Sequence, residues 1–264
     1  MNSIQDLEQQ NLQDSWSILY LSLAKCLLQT PPVEQAESVL RAAIRSYAST
    51  IGRMERASNQ AARLRINLNT FFRQPALRPR DPRLRVDIQR LNEQVALLNV
   101  IRCPFATLAR QQGVEKLAKP FCEEFCSACI DTYTDGVSQV NLSEVLTEPQ
   151  NTHCRIAAYF RPANQSQALR KFSFSSFEEQ EPPAEHIVDT HNNPETWRTL
   201  ADTLIRSFLD AGVPRNIMEQ GLTLAKEDIT SFLNHRARCM EQPFDKAFLR
   251  NNNSLGNFDL LCEV

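Results

Sequence analysis

Hydrophobic periodicity changes once, and sharply, along this chain, and that change limits the architectures open to it. Before residue 75, Val39, Leu40, Ala43, Ile44, Tyr47, Ile51 and Met54 recur at steps of three and four, the apolar stripe of a helix. Pro75, Pro79 and Pro82 then forbid regular helix or central strand. From Leu84 the period drops to two: Leu84, Val86 and Ile88 alternate with Arg85, Asp87 and Gln89, as in a half-buried strand. Val95 to Ile101 reads as a buried strand, Phe105 to Gln112 and Val114 to Thr132 as helices. Val137 to Leu146 and Arg155 to Phe160 read as two further strands, parted by a turn at Pro149-Gln150-Asn151. Long helices followed by antiparallel strands with helices on one face make the expected class α+β.

The flanks read as helical. The apolar run Trp16–Leu28 predicts an amphipathic helix, and Pro31-Pro32 separates it from a second helix over 33–72. Residues 161–193 are polar and carry an acidic run, with a short strand expected at Phe172 to Phe177. Asn193-Pro194-Glu195 signals a new helix whose apolar face holds Trp197, Leu200, Ala201, Leu204 and Phe208. Gly212 and Pro214 end it, and a second helix over 216–239 would form an antiparallel hairpin with it. The tail from Asn251 reads as irregular. The expected organisation is an N-terminal helix (1–32), an α+β domain (33–162), a linker (163–193) and a C-terminal helical module (194–264). Helical hairpins of this kind pack on their own domain or on a twin, so a homodimer is expected.

Composition removes whole function classes. Six glycines, none clustered, exclude a P-loop and a dinucleotide-binding G-x-G-x-x-G turn. The net charge of −2 gives no global drive towards nucleic acid or anionic lipid. Locally, residues 41–90 carry twelve arginines against Glu55, Asp81 and Asp87, or +9, which leaves −11 elsewhere and points to internal partners. The polar start MNSIQDLEQQ is no signal peptide, and Trp16–Leu28, broken by Lys25, is too short to span a bilayer. The expectation is a cytoplasmic protein, off the membrane and not bound to nucleic acid, with its eight cysteines as reduced thiols.

Five of those cysteines crowd between 103 and 154. Cys122-x3-Cys126-x2-Cys129 has the spacing of the cluster ligands in radical S-adenosylmethionine enzymes, but the chain lacks the strand–helix units of their barrel. The surrounding sequence is helical, and steps of four and three put all three sulfurs on one face. That face could bind zinc or an iron–sulfur cluster with Cys103, His153 or Cys154 as a fourth ligand. It could equally be a buried face of small residues, since free cysteine is among the most buried residue types. No cofactor is the base expectation. His186 and His191 fall in the linker, and their spacing alone makes no metal site.

Arg102-Cys103-Pro104-Phe105-Ala106, followed by Gly113, Phe121-Cys122, Gly136 and Cys154, resembles the L-2-amino-thiazoline-4-carboxylic acid hydrolase family over about residues 33–160. Members carry R-C-P-F and F-C-x-x-D. Here the aspartate position falls on Phe125 in one register and on Cys129 in the other, with Asp131 or Asp135 about a turn away. The resemblance implies a hydrolase that opens a small cyclic, amino-acid-like substrate at a carbon flanked by nitrogen and sulfur. It implies Cys103, Cys122 and Cys154 as nucleophile candidates, Arg102 and Arg155 as partners of a substrate carboxylate, and Asp131 as a polar contact. A nucleophilic thiol needs its pKa lowered, and Cys103, just before a helix start, is placed for that. The alternative is a small-molecule- or metal-binding sensor or carrier, similar to the 4-vinyl-reductase-type domains.

Overall fold

The computed structural model describes residues 3–75, 81–177 and 193–255. Helix α1 (Ile4–Leu28) starts well before the apolar run, at a capping box in which Ser3 Oγ accepts from the Asp6 N–H and the Asp6 carboxylate accepts from the Ser3 N–H. From Gln9 to Ala24 all but one residue of α1 is buried, so α1 is the central helix of the protein and not an amphipathic surface helix. Its internal polar groups are met: Asn11 Nδ2 donates to Asn252 Oδ1 (2.6 Å), Arg236 Nε donates to Asn11 Oδ1 (2.7 Å), and Ser15 pairs with Ser254. Helix α2 (Val33–Ala61) stops short of the expected end at residue 72. Arg63 turns to a positive φ of 58°, and Asn67 caps a separate short helix, α3 (Leu68–Arg73), by accepting from the Thr70 N–H.

The sheet comprises β1 (Arg85–Leu91), β2 (Val95–Arg102), β3 (Ser138–Glu144) and β4 (Cys154–Phe160), all antiparallel in the order β1-β2-β4-β3. Ala96 and Leu98 of β2 and Ile156, Ala158 and Phe160 of β4 face the core, while Arg155 and Tyr159 face away. One expectation fails here. β1 is an exposed edge strand, with Val86 39% and Ile88 48% exposed. Its alternation reflects the pleat but not burial. Register breaks between Arg85 and Val86 and between Ile88 and Arg90 interrupt it, and such irregularity guards a sheet edge against further pairing.

Helices α4 (Pro104–Gln111) and α5 (Glu115–Tyr133) belong to the layer behind the sheet, and α5 lies along α2. They touch backbone to backbone at Gly52, where a Cβ would lie 2.6 Å from the Cys129 carbonyl oxygen. The strand expected at Phe172 to Phe177 is instead the helix α6 (Gln167–Ser173), capped by Ser166, followed by a 3-10 turn at Ser175–Phe177. Helices α7 (Pro194–Asp210) and α8 (Arg215–Cys239) form as read, and α9 (Lys246–Asn252), capped by Asp245, adds a helix that the tail did not signal. The first two are no hairpin packed on itself: α7 lies mainly on α2 and α8 on α1. One hydrophobic core runs through all of these elements. His186, His191, Cys262 and much of the 163–193 connection lie outside the described residues.

Candidate functional site

Between the sheet and helices α1, α2, α5 and α7 lies a cavity of about 260 Å³. Its wall is assembled from distant parts of the chain. Gln13 and Trp16 come from α1, Tyr47 and Ile51 from α2, and Phe121, Cys122, Phe125 and Cys126 from α5. The sheet side supplies Val100, Leu142, Cys154 and Ile156, the start of α4 Cys103 and Phe105, and α7 Trp197 and Leu200. Among the described residues no charged side chain lines it. The aromatic rings form one packed group: Trp16 stacks on Tyr47 (5.8 Å between centroids) and meets Phe121 edge-on (5.5 Å), and Phe121 stacks on Phe125 (4.7 Å).

Four thiols share this wall. The structure therefore brings together the three nucleophile candidates Cys103, Cys122 and Cys154, and adds Cys126. All seven described cysteines are free. Burial pushes the Cys103 thiol up, against the pull of the Phe105 and Ala106 amides at the start of α4. Burial also drives Cys122 well above the ordinary thiol range. The neighbouring Cys103 and Cys154 sulfurs add to this, and the Thr147 hydroxyl opposes it. Cys154 accepts a hydrogen bond from the Leu146 N–H (3.1 Å), yet burial still raises it to about 11. For Cys103, Cys122 and Cys154 burial therefore favours the thiol over the thiolate.

The other expected residues do not join them. Cys129 is 1% exposed, and its carbonyl faces Gly52 of α2. Among the described residues no three His, Cys, Asp or Glu side chains are grouped to hold a metal ion. Of the three cysteines of the Cys122-x3-Cys126-x2-Cys129 spacing, Cys122 and Cys126 line the cavity and Cys129 does not. Arg155 points away from the cavity, on the outer face of the sheet, and pairs with Glu144 (3.2 Å), which also holds His153. Asp131 is exposed on α5 and Asp135 pairs with Arg56, so neither carboxylate lines the cavity. Arg102 is exposed at the end of β2, beyond the lining residues.

Sequence reasoning missed Gln13, Trp16, Leu84 and Trp197 as wall residues, because each is only one apolar or polar position on its own element. It also missed the cluster beside them. Arg83 holds the carboxylate of Asp81 and, by two hydrogen bonds of 2.8 Å, that of Asp14, fixing the segment before β1 to α1. Other arginines of the 41–90 run are likewise spent inside the fold: Arg41 binds Glu37, Glu123 and Glu124, Arg45 binds Glu124, and Arg56 donates to the Tyr133 carbonyl. No helix among the described residues is long and apolar enough to cross a membrane.

The fold and wall define an α+β domain enclosing an apolar, thiol-lined cavity. The family model described as L-2-amino-thiazoline-4-carboxylic acid hydrolase matches residues 17–142, and over that stretch the chain is similar to that family. No curated protein and no solved structure matches the chain. The matched stretch ends within β3, so Cys154 and Ile156 of β4, Trp197 and Leu200 of α7, and Gln13 and Trp16 at the start of α1 all contribute from beyond it.

Proposed function

We propose that this protein binds a small, largely apolar organic molecule in the four-thiol cavity, as a carrier or sensor of that molecule. The observation that carries the reading is the wall itself: aromatic, aliphatic and thiol groups with one amide, Gln13, and, among the described residues, no carboxylate, imidazole or cation. Such a wall binds by burial, worth about 25 cal/mol per Å² of apolar surface removed from water. It places no charged group beside a thiol, and burial pushes Cys103, Cys122 and Cys154 towards the protonated form. The absence of an aspartate at the F-C-x-x-D position agrees with this.

A second reading keeps the family chemistry, and one observation favours it. The Cys103 sulfur meets the first amides of α4, the arrangement that stabilises a thiolate as it forms. In that reading Cys103 attacks the ring carbon between nitrogen and sulfur, the ring C–S bond breaks, and one water finally enters to release an N-carbamoyl thiol amino acid.

The two readings separate by incubating the protein with L-2-amino-thiazoline-4-carboxylate and following the new thiol with a disulfide reagent. In parallel, neutral aromatic probes are titrated calorimetrically. Binding of the probes without thiol release supports the carrier reading. Thiol release that disappears in Cys103→Ala would replace it with the hydrolase.

A further inference from the structure

The thiols of the cavity wall come from two places. Cys122 and Cys126 stand four residues apart on α5, a spacing at which side chains are neighbours on one helix face. Cys154 opens β4 opposite Val100 of β2, and Cys103 follows the end of β2, so these two belong to the same end of the ladder. Of the other three sulfurs, Cys103 acts most strongly on Cys122, ahead of Cys154 and Cys126. None of the four is in a disulfide. Among the described residues no set of three ligands is grouped for a metal ion, which leaves a pair of sulfurs as the unit that can bind.

Two properties of the wall select what such a pair can hold. Burial favours the protonated thiols, and no carboxylate or imidazole in the described lining stands ready to take a proton from them. Attack on a carbon electrophile, or capture of a zinc ion, needs the thiolate. An arsenic(III) centre that carries oxygen does not, because its own oxygen receives the thiol protons. The described lining also holds no charged side chain, so the bound product has to be neutral.

We infer that Cys103 and Cys122 form a dithiol site for a trivalent aryl-arsenical, with the aryl ring in the cavity and the arsenic bridging the two sulfurs. The inference rests on the cavity-binding reading above and names its ligand class. In the binding step the two S–H bonds and the arsenic–oxygen bond break, and two arsenic–sulfur bonds form. The oxygen leaves as water with both thiol protons. Arsenic stays trivalent, so no oxidant or reductant enters, and the adduct is uncharged. Trp16, Tyr47, Phe105, Phe121 and Phe125 offer the aryl ring apolar surface.

The test mixes the full chain with phenylarsine oxide and reads the adduct by native mass spectrometry, with indole titrated calorimetrically in parallel as a neutral probe. One phenylarsenic group per chain is expected, with the loss of two hydrogens. Cys103→Ala and Cys122→Ala should each lower its affinity by about 100-fold, because a chelate becomes a single bond, while both still bind indole. Cys126→Ala should keep the adduct. Arsenite, which has no aryl body, should bind at least about tenfold more weakly. No adduct on a wild type that binds indole would overturn the dithiol site and leave the cavity reading standing. An adduct unchanged in both single variants would overturn it as well, by placing the arsenic on other thiols. Arsenite bound as tightly as the aryl compound would refute the role given to the cavity in holding the arsenical. A chain that binds neither compound would sink the cavity reading, and the dithiol site with it.

Discussion

Gly52→Ala is the most demanding test of the packing that shapes the cavity. Gly52 lies inside α2, where alanine is the better helix former by about 0.8–1 kcal/mol. Judged on propensity alone, the substitution stabilises. The structure says otherwise. The added Cβ would stand 2.6 Å from the Cys129 carbonyl oxygen and 3.1 Å from both the Tyr133 nitrogen and Thr132 Cβ. Two of those three atoms are backbone, so no side chain can swing aside and the helices must part. Overpacking of this kind costs about 1–3 kcal/mol, and a rigid backbone neighbour puts the cost at the upper end. After the propensity gain, a net loss of about 1–2 kcal/mol is expected, which for a chain of this size lowers Tm by roughly 2–4 °C. Differential scanning calorimetry measures it directly. Because α2 carries Tyr47 and Ile51 and α5 carries Phe121 to Cys126 across the same cavity, affinity for a neutral probe should fall as well. A Tm equal to or above that of the wild type would mean that α2 and α5 do not meet at Gly52.

Three further outcomes follow from the side chains. Arg83→Met leaves the buried carboxylates of Asp14 and Asp81 without their cation and should cost about 3 kcal/mol at pH 7 by urea unfolding. Burial raises the Asp14 carboxyl above its ordinary value even with Arg83 beside it, and without that cation it rises further. The stability is therefore present at low pH and lost as pH rises, so the deficit against wild type should shrink towards pH 4, and a pH-independent deficit would contradict the pairing. Cys154, raised from 9.0 to about 11 by burial, should react with iodoacetamide at pH 8 roughly 100-fold more slowly than an unperturbed thiol, read by mass spectrometry. Its folded pKa exceeds the unfolded one, so its contribution holds below pH 9 and is lost as pH passes 11; Cys154→Ala should flatten that alkaline loss. Asn193→Ala removes the acceptor for the Glu195 and Thr196 N–H groups and should cost about 1 kcal/mol, with α7 loosening before the sheet in hydrogen exchange.

How far the sequence was legible depended on whether a signal was local. The short apolar runs of β2 and β4, the Asn193 cap of α7 and the proline breaks each act over a few residues, and each appears where it was read. α1 was misjudged because amphipathicity assumes one solvent face, whereas other helices surround it and its Asn11 and Ser15 bond to a segment more than 200 residues away. The end of α6 was taken for a strand because Phe172, Phe174 and Phe177 dominate a six-residue stretch, while the deciding group is the Ser166 hydroxyl upstream. The crowding of cysteines in the middle of the chain did foretell one thiol-rich locus. Its aromatic enclosure did not show, because Trp16 and Trp197 reach it from opposite ends of the chain.

The chain contains two tryptophans, Trp16 and Trp197, and both stand in the cavity wall. The intrinsic emission of the entire protein therefore originates at one place, with no background from indoles elsewhere. Tyr47, in ring contact with Trp16, can transfer excitation into the same spot. A molecule entering the cavity displaces water or thiols from the faces of both emitters at once. The unlabelled protein is thus its own optical gauge of occupancy, and Trp16→Phe and Trp197→Phe would separate the signal from the α1 wall from that of the α7 wall.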